Sequence, residues 1–168
     1  CALLAGNIYG GGNLAPYSRS GTDFPQVNIT SGTIEENVFG GGLGTTAAVT
    51  ANPRVNLTGG VIGGDVFGGG DAAAVTGNTT LTISGGSVGG AVYGGGNEAG
   101  VSGNTGITVS NGTITDGVYG GCNVTGTIGG NAGLTLTGGT IGTAGSKSNV
   151  HGGGFGENTT VSGNVAVN

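Results

Sequence analysis

The sequence predicts an all-β chain, a parallel β-solenoid of about six rungs with 26–30 residues and three short strands per rung. Three observations predict it. An aliphatic–aromatic pair followed by three small residues recurs six times, and apolar–polar alternating segments recur in step with it. In addition, 45 of the 168 residues are glycine and only three are proline. A unit of this size cannot bury its apolar residues alone, whereas units stacked as rungs can. Glycine without a Gly-X-Y period is not collagen, and no stretch has helical periodicity long enough to compete. A single domain over residues 1–168 is expected.

The first column contains Ile8-Tyr9, Val38-Phe39, Val66-Phe67, Val92-Tyr93, Val118-Tyr119 and Val150-His151, each followed by Gly-Gly-Gly or, once, Gly-Gly-Cys. Its aromatic positions are 30, 28, 26, 26 and 32 residues apart. Leu4, Ile34, Ile62, Val88 and Ile114 each stand four residues before an aliphatic of this column, and Ile141 stands nine before Val150. Neighbours along a strand point to opposite faces. With the aliphatics facing the core, Tyr9, Phe39, Phe67, Tyr93, Tyr119 and His151 are expected as an exposed ladder beside a bare glycine strip. Such a ladder either stabilises the stack or offers a surface to another backbone or a sugar ring.

The second column alternates: Val27–Thr30, Val55–Thr58, Leu81–Ser84, Ile107–Ser110, Leu134–Thr137 and Val165–Asn168. Each reads as a half-buried strand. Its outward rows mix Asn, Thr, Ser and Ala, too irregularly for the threonine array of an ice-binding face. The third column is a β-branched residue followed three later by asparagine: Val49/Asn52, Val75/Asn78, Val101/Asn104, Ile128/Asn131 and Val161/Asn164. Asn52, Asn78, Asn104, Asn131 and Asn164 are expected to form a structural ladder, bonding from rung to rung at a turn. Residues 14–26 and 142–149 interrupt the repeat and are expected as loops outside the rod.

Composition narrows the function. Three Lys and Arg against eight Asp and Glu give the wrong sign for nucleic acid. No apolar run of about 18 residues is present to span a membrane as a helix. The one histidine, His151, and two cysteines, Cys1 and Cys122, lack zinc-site spacing. Carboxylates fall in different columns, which argues against a calcium-binding repeat or a catalytic acid pair. No catalytic, metal or cofactor site is expected, and the chain is not read as an enzyme. Cys122 occupies a glycine slot as a small filler, and rung counting puts Cys1 about 19 Å away, too far for a bridge. Asn-X-Thr sequons begin at Asn28, Asn56, Asn78, Asn111, Asn123 and Asn158, a frequency that the abundance of Asn and Thr explains.

The segment Gly89–Gly117, GGAVYGGGNEAGVSGNTGITVSNGTITDG, resembles the Gly-rich tandem repeats of bacterial cell-surface and secreted proteins. It is similar in style to adhesins and autotransporter passengers, with recurring V-Y-G-G-G-N and V-x-G-N-T elements. The resemblance covers nearly the whole chain. It implies an extracellular β-solenoid with a structural or adhesive role, and it carries over no catalytic or binding residue.

Both ends of the sequence fall in mid-repeat. Joined, they leave Cys1-Ala2-Leu3 between Asn168 and Leu4, matching Ser31-Gly32-Thr33 between Thr30 and Ile34. The expected interface therefore sets Cys1, Ala2, Leu3 and Leu4 against Val165, Ala166, Val167 and Asn168. The expectation is a homopolymer, a filament subunit stacking head to tail. A surface module that binds glycans is the alternative.

Overall fold

The structure, a computed structural model, describes residues 4–19 and 23–168. It is an all-β solenoid of about five turns. The aliphatic–aromatic pairs form a six-stranded sheet in chain order from Ile8–Tyr9 to Val150–His151. Val38 pairs with Ile8 on one side and Val66 on the other, and Phe39 likewise lies between Tyr9 and Phe67. A larger, eleven-stranded sheet carries the alternating strands Gln26–Ile29, Arg54–Leu57, Thr79–Val88, Thr105–Ile114, Ala132–Leu136 and Val165–Val167. The third column also runs in register, with Val49 on Val75, Val75 on Val101, Val101 on Ile128, and Ile128 on Val161.

Two walls of the turn close around one aliphatic core. Val27, Ile29, Ile34 and Val38 from one rung stack on Val55, Leu57, Ile62 and Val66 from the next, and the pattern continues to Leu134. A smaller core holds Val49, Val75, Val101, Cys122 and Ile128. The corner after each alternating strand places glycine at a φ of 92° (Gly32), 88° (Gly60), 78° (Gly86), 94° (Gly112) and 89° (Gly139). A side chain is costly in this left-handed region, so the corner selects glycine in every rung.

Three expectations are corrected. Residues 14–26 are not wholly outside the rod: Tyr17–Ser18 pairs in parallel with Val49–Thr50 and begins the third column. Tyr17 also packs on the smaller core, which is why a ring can stand where valine stands elsewhere. Residues 142–149 do leave the stack, as an antiparallel hairpin pairing Gly142 with Lys147 and Thr143 with Ser146.

The register at both ends of the rod also differs. Val165 pairs with Ala132 and Val167 with Leu134, two residues from the alignment that alternation suggested. The asparagine ladder sets this register, because Asn164 N–H donates to Asn131 Oδ1 at 2.8 Å and both strands start at the next residue. In the first rung Ala5, not Leu4, pairs with Ile34, and Leu4 is exposed. Only Gly6 and Asn7 separate Ala5 from Ile8, whereas Glu35, Glu36 and Asn37 separate Ile34 from Val38. In this register four residues separate Asn28 from Thr33, one more than Cys1–Leu3 would supply between Asn168 and Leu4. Cys1, Ala2 and Leu3 themselves lie outside the described residues.

Candidate functional site

The aromatic column is continuous, but its inner rings are buried and only His151 is exposed. Ring centroids of Tyr9, Phe39, Phe67, Tyr93, Tyr119 and His151 follow one another at 4.9, 4.6, 4.9, 5.1 and 5.2 Å, all stacked. Alternation does turn these rings away from the main aliphatic core, and those from Tyr9 to Tyr119 form a cluster of their own with Ala91. Yet Phe39 is 2% exposed, Phe67 1% and Tyr93 5%. Each inner ring has both faces covered by its neighbours. Phe155, which follows the last glycine triplet, meets Tyr119 edge-on at 5.3 Å. The inner rings therefore present no free face to a sugar. At the His151 end a depression is lined by Tyr119, Asn149, His151, Gly154 and Phe155. Burial raises the Tyr93 phenol far above its ordinary range, with smaller contributions from Asp65, Tyr119 and Asp116.

The asparagine ladder has the expected geometry. The Oδ1 atoms of Asn52, Asn78, Asn104 and Asn131 accept the backbone N–H of the next member at 2.8, 2.7, 2.7 and 2.8 Å. No protein-family model matches this chain, and no curated protein or solved structure shows significant similarity to it. The functional reading therefore rests on the geometry of the columns.

Two further ladders escaped the sequence reading. Asn7 Oδ1 accepts from Asn37 N–H at 2.9 Å, Asn37 from Asp65 at 2.8 Å, and Asp65 from Ala91 at 2.7 Å. After the glycine triplets, Asn97 Nδ2 donates to Asp71 Oδ1 at 2.7 Å and Asn123 Nδ2 to Asn97 Oδ1 at 2.9 Å. The signal was present, since Asn or Asp precedes the aliphatic in four of the six copies. Asp65 and Asp71 break up that signal in the sequence, because each takes an asparagine's place. Burial raises the Asp65 pKa, the Ala91 N–H opposes that, and Asp116 adds to it.

Cys122 is a free, buried thiol whose Sγ donates to Ala99 O at 3.4 Å. Burial raises its pKa, partly offset by a backbone hydrogen bond from Gly96, so it fills the small core in its protonated form. Among the described residues, no three of His, Cys, Asp and Glu come together as a metal-holding group. No helix there is long and apolar enough to cross a membrane.

At the last rung, Val165 and Val167 are each 49% exposed although they stand in register with the buried Ala132 and Leu134. Leu4, at the opposite end, is 64% exposed. Leu4 stands in the outward column of Thr33 and Val61, the latter 48% exposed.

Proposed function

We propose that this chain is a structural rod element of an extracellular or bacterial cell-surface fibre, extended by rung-on-rung pairing with a further copy of the same column pattern. The observation that carries the reading is the register of the stack, in which the aliphatic, aromatic and asparagine columns of one rung fall on those of the next. Val165 and Val167 occupy columns that are buried in the other rungs, so a rung that packs on them needs the same pattern. A second copy offers matching columns, so the contact is heterologous and non-closing, the geometry that yields filaments. The Gly-rich repeat style and the sparse charge support an extracellular setting. A surface module that binds glycans through the aromatic ladder is the weaker reading, because the inner rings cover one another's faces.

Electron microscopy and light scattering on the purified chain test the proposal. Particles longer than one rod of about 29 Å are expected, increasing in length with concentration. A Val165→Lys/Val167→Lys variant places charge in the apolar columns of the Val165–Val167 rung and should remain a single rod. A parent chain that stays monomeric at high concentration would rule the filament out.

A further inference from the structure

We propose that Asn111 is a self-modifying site, at which the folded chain loses ammonia through a succinimide formed with Gly112. Asn111-Gly112 is the single Asn-Gly pair in the sequence. Glycine on the C-terminal side leaves the attacking backbone nitrogen free of side-chain hindrance. The pair occupies the left-handed corner, where other rungs place Ser31-Gly32, Gly59-Gly60, Gly85-Gly86 and Gly138-Gly139. It is therefore the one corner that presents a carboxamide.

Bonding separates this asparagine from those of the ladders. Asn52, Asn78, Asn104 and Asn131 hold their Oδ1 atoms against a neighbouring N–H, and so do Asn7 and Asn37. Asn28 and Asn56 bond to each other, and Asn97 bonds to Asn123. Asn111 belongs to none of these ladders and is exposed. Its carboxamide is free to turn toward its own main chain.

The chemistry needs only water. Hydroxide removes the Gly112 amide proton, and the nitrogen attacks Asn111 Cγ. The N–Cγ bond forms, the Cγ–Nδ2 bond breaks, and ammonia leaves. Water then opens the ring on one side or the other. Cleavage at Cγ gives aspartate, and cleavage at the main-chain carbonyl gives isoaspartate with one extra methylene in the backbone. The two products differ in consequence. A Cβ built on Gly112 would already stand 2.9 Å from Gly86 O, so the lengthened backbone of isoaspartate cannot keep the corner's register. Either product adds a negative charge to a chain whose formal net charge is −5.

The test is incubation of the folded chain in mildly alkaline buffer, followed by ion exchange and fragment mass spectrometry. The expected result is the mass change of a carboxamide NH2 replaced by a carboxyl OH, localised to residue 111 and faster at higher pH. Isoaspartate should be detectable by enzymatic methyl labelling. Asn111→Ser copies the Ser31-Gly32 corner, should keep the fold, and should abolish the modification. A folded chain that stays unmodified at Asn111 while its urea-unfolded form converts would overturn the proposal. So would earlier conversion of the ladder asparagines.

Discussion

Asp65 occupies a position where the preceding rung has Asn37, and it performs the same service: one side-chain oxygen accepts the N–H of the rung that follows. A carboxylate does this at a cost, because partial burial disfavours its charge and Asp116 adds repulsion. Its folded pKa is raised, so the folded state binds the proton more tightly than the unfolded chain does. Ionisation at this site therefore lowers stability as pH rises through the carboxylate range. Asp65→Asn keeps the acceptor and removes the charge. It should melt at a higher temperature than the parent at neutral pH, with the difference shrinking as pH falls below that range. Paired thermal melts at the two pH values check it, and a variant less stable at neutral pH would contradict the assignment. The asparagine column was legible in the sequence because its spacing repeats with identical chemistry. Burial of the aromatic column was not. Alternation gives the side of the strand on which a ring lies, and says nothing of how closely the rings of successive rungs cover one another.

The aromatic strands are only two residues long, so little of their stability comes from strand length. It comes from the column. Phe67 is stacked on both faces and almost fully buried, whereas Tyr9 is stacked on Phe39 and is only partly buried. Phe67→Ala should cost about 3–5 kcal/mol. Tyr9→Ala should cost clearly less, and denaturant unfolding of both variants measures the contrast. Equal losses would mean that the rings act singly and not as a stack. At this scale the repeating strands could be read directly, since six copies reinforce one pattern. The exceptions were copies in which a local pattern misled. Tyr17–Ser18 lacks the valine and asparagine that mark its column, and Val165–Val167 alternates equally well in two registers. Only the rung-to-rung bond from Asn164 to Asn131 separates those registers, and a single strand's pattern does not contain it.

Over the whole molecule, successive ring planes differ by only 1°, 5°, 9°, 13° and 4°. The rings thus lie nearly perpendicular to the direction of stacking, the direction in which the rung-to-rung hydrogen bonds also run. Tension applied in that direction meets those bonds a few at a time, as in opening a zipper, and never loads a whole sheet in shear. Each rung that peels away would release about 26 residues, or roughly 88 Å of extended chain. A single rod held by its ends should accordingly lengthen in a series of small force drops, one for each rung. A fibre made of such rods would yield gradually under load and could re-form rung by rung once the load was removed.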